Sequence, residues 1–278
     1  MKIGVAVLTL LALLTITLLW GKVSWYRYTA GLFEKVYASG AAQERYVDLD
    51  EIKNLPVPVQ KYFRLVLKEG APIITHAFLS QSGGFRVKPE KEAWSPMEAE
   101  QYFSTRPRAF VWHASIAMMP GVAVNVCDTY IEGEGKTKGK LMSLFTLIDT
   151  QSASELDEGA LQRYLAEAVW FPTALLPSQG VSWNEIDEYH AEASVTDAGT
   201  TVSLEFEFNE TGEIVSVYAP RRYREVSGAY EATPWKGRFA DYIDFQGYRI
   251  PSKAEVEWQL EEQLYPYWRA TIGQVEYD

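Results

Sequence analysis

Residues 157–178 read DEGALQRYLAEAVWFPTALLPS, and the fold turns on how this stretch is understood. Leu161, Tyr164, Leu165, Ala168 and Val169 recur at i, i+3, i+4, i+7 and i+8, one face of a helix. Asp157 can cap the N-terminus, Glu158 suits the helix dipole there, and Ser152 with Glu155 forms a capping-box pattern just upstream. Pro172 ends the helix, because a proline disfavours helical geometry in Phe171 and offers no N–H. Burying the five-residue stripe is worth roughly 10 kcal/mol gross, at about 1.5–3 kcal/mol for each large side chain. The other face carries Gln162, Arg163 and Glu167, the last two four residues apart. WFPTALLP, which follows, is almost wholly apolar and must also be buried. The pattern predicts a helix against a sheet, with a mixed polar and aromatic surface turned toward a cavity.

Outward from this helix the hydrophobic period falls to two. Upstream, HAFLSQSGGFRV (76–87), AFVWHASIAM (109–118), VAVNVCDTYIEGEG (122–135) and KGKLMSLFTLID (138–149) read as strands. Breaks fall at Gly83 and Gly84 and at Pro120 and Gly121, and Gly133 and Gly135 read as a turn. Downstream, AEASVT, TVSLEFEF, EIVSVYAP, GRFADYIDF, YRIP, KAEVEWQL and WRATIGQVEY continue the series, with a hairpin at Gln246 and Gly247. A second helix opens at Pro58 with the stripe Val59, Tyr62, Phe63, Val66 and Leu67, and Gly70 suits its C-terminal end. About ten antiparallel strands with two or three helices predict an α+β fold, a large curved, half-barrel-like antiparallel sheet packed on a central helix.

The N-terminal residues 3–20 carry no charge, and as a helix they would span about 27 Å, close to the hydrocarbon thickness of a bilayer. Trp20, Lys22, Trp25, Tyr26 and Arg27 follow as interfacial anchors. A cleavable signal peptide is the rival reading, but no convincing small-x-small cleavage site follows the apolar run. The expectation is therefore a single-pass anchor over 1–22, a helical stalk over 23–54 and one globular domain over 55–278. Lys2 and the amine balance Lys22, Arg27 and Lys35, so the charge rule leaves sidedness near a tie. The short basic tail favours an extracytoplasmic domain.

The net charge of -11 and the lack of a basic run argue against nucleic acid as a partner. The one cysteine, Cys127, rules out an internal disulfide, and its strand-like setting is that of a small buried thiol. His76, His113 and His190 are far apart and have no ligand-spaced neighbour, so neither a metal nor a cofactor is expected. The unusual figures are 9 Trp and 17 Tyr, which fill a β-rich core or line an apolar pocket. The candidate ligand-binding residues are Trp112, Asp128, Tyr130, Arg163, Glu167, Trp170, Phe171, Trp235 and Trp258. Asp128 shares a strand face with Val122, Val124, Val126 and Tyr130, and a carboxylate there must be paired or protonated. Arg221, Arg222 and Arg224 are candidate partners for it or for Glu167.

The blocks QRYLAEAVWFPTALLP, PWKGRFADYIDFQGYRIPSKAEVEW and LPVPVQKYFRLVLKEG resemble a family of bacterial proteins of unknown function, over about residue 55 to the end. That family implies no catalytic residues. Strands wrapped on a helix, with a late tyrosine–glycine–proline hairpin, are more loosely similar to the lipoprotein-carrier half-barrels and related periplasmic lipid-binding proteins. The likeness implies a lipid or other apolar ligand held in a concavity, and the aromatic content, the apolar WFPTALLP segment and the uncharged N-terminal segment together make the expectation a membrane-tethered binding protein. A hydrolase using Glu167 and Asp128 would instead need both carboxylates on one cleft with no arginine neutralising them. A purely structural domain would have a filled core and no cavity.

Overall fold

The computed structural model describes residues 2–38 and 44–278. Its helices are α1 (Lys2–Ala38), α2 (Val57–Val66) and α3 (Ser154–Glu167). Ahead of α3 come β1 (His76–Phe85), β2 (Ser95–Thr105), β3 (Arg108–Met119), β4 (Val122–Ile131), β5 (Glu134–Leu141) and β6 (Phe145–Asp149). After it come β7 (Val181–Glu185), β8 (His190–Asp197), β9 (Thr200–Phe208), β10 (Ile214–Val226), β11 (Ala229–Phe245), β12 (Tyr248–Gln259) and β13 (Leu264–Tyr277). They form one 13-stranded antiparallel sheet in the order β6-β5-β4-β3-β2-β1-β13-β12-β11-β10-β9-β8-β7. The chain meanders to one edge at β6, crosses to the other at β7, and meanders back until β13 pairs with β1.

The crossing segment is the helix and apolar run from which the sequence reading began. Its helix, α3, touches β4 and β5 on one arm and β9 and β10 on the other. β5 and β10 are eight strand steps apart, about 38 Å if the sheet were flat. A helix is only about 10–12 Å across, so the sheet must curl around it. The curl brings the arms together at one rim, where the Tyr130 hydroxyl donates to Asp197 Oδ2 at 2.8 Å and Arg108 Nη1 lies 3.4 Å from Asp197 Oδ1. This is the curved α+β sheet that the alternating strands and central helix predict.

Several local boundaries differ from the sequence reading. α3 begins at Ser154 with Ala153 at its N-cap, three residues before Asp157, and no side chain caps it. Asp157 instead accepts the Gly135 N–H at 2.7 Å, tying the first turn to β5. Gly135 is therefore a strand residue, and only Gly133 belongs to the turn. Residues 138–149 form a hairpin, β5 and β6, because Met142 and Ser143 adopt positive φ. Gly83 and Gly84 lie inside β1. YRIP and KAEVEWQ are one strand, β12. Pro251 is tolerated there because pairing with β13 starts only at Lys253, so its missing N–H is not needed. β2 and β7 are strands the sequence reading passed over, and α2 ends at Val66, before Gly70.

α1 continues unbroken to Ala38, and its second half lies on the convex side of the sheet. Trp25 and Val36 pack there on Ala109, Val111 and Cys127, while Phe110 and Trp112 of the same strand enter the main core. β3 is covered on both faces, which is why AFVWHASIA reads as a nearly continuous apolar run. Trp25 Nε1 donates to His113 Nε2 at 2.9 Å, which requires that nitrogen to be unprotonated, and burial lowers the His113 pKa. Lys35 reaches Glu132 at 3.0 Å. Residues 39–43 of the expected 23–54 stalk lie outside the described residues. Leu49–Ile52 form a single 3-10 turn. The first half of α1 makes it long and apolar enough to cross a membrane.

The fit of α3 on β5 depends on Gly135. A Cβ there would overlap the Leu156 carbonyl and come within 2.9 Å of the Ala160 Cβ. Gly135→Ala should therefore lower stability by about 1–3 kcal/mol, as overpacking does, and shift the urea midpoint with little change in slope. An unchanged midpoint would show that helix and sheet are not in close contact here.

Candidate functional site

Between α3 and the concave face lies a cavity of about 220 Å³. Its apolar wall includes Phe110, Trp112, Trp170, Trp235 and Trp268, drawn from β3, the turn after α3, β11 and β13. Alternation along each strand puts these rings on one face, and the curl turns that face inward. Trp170 is held by its indole N–H, which donates to the Pro251 carbonyl at 3.1 Å.

The polar part of the wall is centred on Arg163. Its Nε donates to Glu167 Oε1 at 2.8 Å, and its Nη1 donates to Asp128 Oδ2 at 3.0 Å. The guanidinium lies 5.0 Å from the ring centres of both Phe110 and Trp112. The other Glu167 oxygen accepts from Gln101 Nε2 at 2.7 Å, Gln81 Nε2 donates to Gln101 Oε1 at 2.8 Å, and the Trp112 indole donates to Gln81 Oε1 at 2.9 Å. A continuous chain of polar contacts thus runs from β3 through β1 and β2 to α3 and on to β4. Gln81 and Gln101 are both buried. They were passed over in the sequence, where the available signal was a lone amide at an inward position of an otherwise apolar strand face.

Burial pushes the Glu167 carboxyl above the usual carboxylate range, against the pull of Arg163, Gln101 and Arg222. Burial alone would lower Arg163, but the Glu167 and Asp128 carboxylates outweigh it and hold the guanidinium above its ordinary value. The arginine stays charged and is hydrogen-bonded to both acids, one cation between two carboxyl groups. The expected partners of Asp128 and Glu167 were Arg221, Arg222 or Arg224, but the structure supplies Arg163 from one turn of the same helix. Arg221 goes to Glu158 at 3.4 Å, and Arg222 makes no ion pair among the described residues. The two carboxylates do open on one cleft, yet the arginine between them removes the condition an acid/base pair requires.

Of the nine candidate residues, six line the cavity together: Trp112, Asp128, Arg163, Glu167, Trp170 and Trp235. The other three do not. Phe171 is fully buried in the core with its ring centre 4.4 Å from that of Phe103, because the turn after α3 points it away from the opening. Tyr130 is spent on the rim contact with Asp197. Trp258 stacks on Tyr267 at 5.9 Å, behind the wall. Arg222 lines the cavity unforeseen, its guanidinium 4.8 Å from the Trp235 ring centre and 5.5 Å from that of Trp258. Among the described residues no three His, Cys, Asp or Glu side chains converge as a metal site would.

Arg163→Met should cost about 3 kcal/mol by leaving two buried carboxylates unpaired. The triple change Arg163→Met, Asp128→Asn and Glu167→Gln should regain most of that loss. Glu167 has a raised folded pKa, so its contribution is full below the unfolded value and is lost as pH rises through the folded one. Removing Arg163 raises that folded value further, so the single variant's deficit should be larger at about pH 8 than at about pH 5 in urea titrations. A pH-independent deficit would show that Arg163 acts by packing alone.

No curated protein matches the chain in sequence. Among solved structures, a LolA superfamily protein from Nitrosomonas europaea is similar over 79% of this chain and 91% of its own, with 8% sequence identity and a TM-score of 0.32. A family described as of unknown function, DUF6920, matches residues 53–277, which contain the whole sheet, α2 and α3, and the chain belongs to that family.

Proposed function

We propose that this is a membrane-tethered binding protein that holds a lipid or other apolar ligand between α3 and the concave face of the sheet. The observation that carries the reading is the aromatic cavity, which a purely structural domain would have filled. At about 220 Å³ it lies just below the usual range of small-molecule sites, so it suits one chain or ring system and not several. Arg222 adds a polar end. It is a cation on the wall that makes no ion pair among the described residues; its Nη2 donates to the Gly159 carbonyl at 3.1 Å, while its Nε is buried and unbonded. An acyl chain against the tryptophans, with a carboxylate or phosphate at Arg222, satisfies both halves of the site.

The chain purified in mild detergent should release a lipid on solvent extraction, read by mass spectrometry, and added fatty acid should change its tryptophan emission. Arg222→Met should weaken fatty-acid binding by about tenfold, the worth of one charge-assisted hydrogen bond, and leave the fatty alcohol of equal length unaffected. The absence of both a bound lipid and an emission response would sink the reading.

The tether is residues 3–20, and the domain is placed outside the cytoplasm. The support is the short basic tail and the use of a lipid cavity beside a membrane. A reporter active only outside the cytoplasm, fused at Asp278, should be on. A silent reporter, with a cytoplasmic one active at the same position, would reverse the topology.

A further inference from the structure

Two neighbouring hairpins of the sheet end in tips without charge. From Ala114 to Cys127, through the β3–β4 turn, no residue is charged, and the same holds from Leu141 to Ile148 through the β5–β6 turn. β4 and β5 pair with Val124 opposite Leu141, so both tips lie at one end of the sheet. They expose large apolar side chains: Met119 at 63%, Phe145 at 65% and Leu147 at 57%, with Met118 and Ile148 beside them. A protein in water gains nothing from concentrating such side chains at loop tips, where polar residues are the rule.

The position of α1 says what covers them. Toward its N-terminus, α1 passes from Trp25, bonded to His113, to Gly21, where a Cβ would stand only 2.5 Å from the Leu144 side chain. Leu144 is the tip of the second hairpin, its neighbour Ser143 accepts from Asn125 Nδ2, and Met142 N–H donates to the Ala123 carbonyl. The route from Trp25 to Gly21 therefore runs toward both tips. The uncharged residues 3–20 leave the domain at the tips, and Trp20 and Lys22 mark the interfacial level on the helix at that point.

We infer that the tips of the β3–β4 and β5–β6 hairpins dip into the same lipid bilayer that α1 enters, with Met118, Met119, Phe145 and Leu147 among the acyl chains and headgroups. The inference rests on α1 being a membrane helix. It adds a second, side-by-side contact, which fixes the domain against the bilayer in one orientation instead of letting it swing on a stalk. The seating of α1 on β3 holds the hairpin tips beside the helix, since the two cannot move apart without breaking the Trp25 and Gly21 contacts.

The test uses the full chain with Cys127→Ser, reconstituted in phosphatidylcholine–phosphatidylglycerol vesicles that contain lipids brominated along the acyl chain. A polarity-sensitive fluorophore is attached in turn through Met119→Cys, Phe145→Cys, Leu10→Cys within α1, and Glu134→Cys at the opposite end of β5. These are exposed positions, and circular dichroism checks that each variant is folded. Met119 and Phe145 labels should emit blue-shifted light and be quenched several-fold more than the Glu134 label. If the Leu10 label is quenched and both tip labels match Glu134, the hairpin contact is overturned while the tether stands. If the tips are quenched and Leu10 is not, the tips meet lipid without α1 entering it, and the tether fails together with the shared-bilayer inference. Quenching at none of the sites but background would overturn both.

Discussion

A single 14-residue helix is held between strands that lie eight steps apart in one sheet, and that contact constrains everything else. A flat sheet of this width could not reach both sides of α3, so curvature is imposed by where the helix sits. The apolar turns after α3 complete the crossing. Thr173 accepts the Ile74 N–H at 3.0 Å, and the Trp183 indole donates to the Leu175 carbonyl at 3.0 Å, so both sides of the sheet are fastened to the same segment. Gly135 permits the closest approach, and the Asp157 carboxylate locks the first turn of α3 to the backbone there.

The same crossing creates the cavity. A helix wedged in a curved sheet fills its centre but leaves a gap where the sheet widens, and the side chains around that gap combine rings with a connected polar chain. Burying Arg163, Glu167 and Asp128 beside two glutamines is costly, and their packing as apolar residues would have been at least as stable. What the ions add is direction. Arg163 sits over Phe110 and Trp112 while bonded on two sides, so the wall has one arrangement and not several. Arg222 is the exception, lying against the Trp235 and Trp258 rings with no ion pair among the described residues.

The long first helix joins this body without a hinge in its described length. Its apolar half is almost wholly exposed, whereas its second half is committed to β2 and β3 through Trp25, Phe33 and Val36. His113 has to be neutral at Nε2 to accept the Trp25 indole, and burial favours that state. The orientation of the domain relative to any surface that holds residues 3–20 is thus set by side-chain packing on the convex face.

The sequence alone determined what local physics can encode. The stripe from Leu161 to Leu165, the uncharged segment 3–20 and the two-residue period on both sides of α3 each follow from neighbours along the chain. The helix itself ends at Glu167, ahead of Pro172, and Ala168–Trp170 form a separate 3-10 turn. β2 was legible too, since Met97, Ala99 and Phe103 alternate with Glu98 and Glu100, but Pro96 and the inward Gln101 masked it. The hairpin in 138–149 was not, because positive φ at Met142 and Ser143 has no glycine or asparagine to announce it. The tertiary structure alone decided which candidates meet. Trp112, Asp128, Arg163, Glu167, Trp170 and Trp235 come from elements far apart in the chain, and Phe171 leaves them because one turn rotates it into the core. The partner of Asp128 was hidden for the same reason. Sequence spacing fixes which face a residue occupies, but only the curl of the sheet around α3 fixes which faces confront one another.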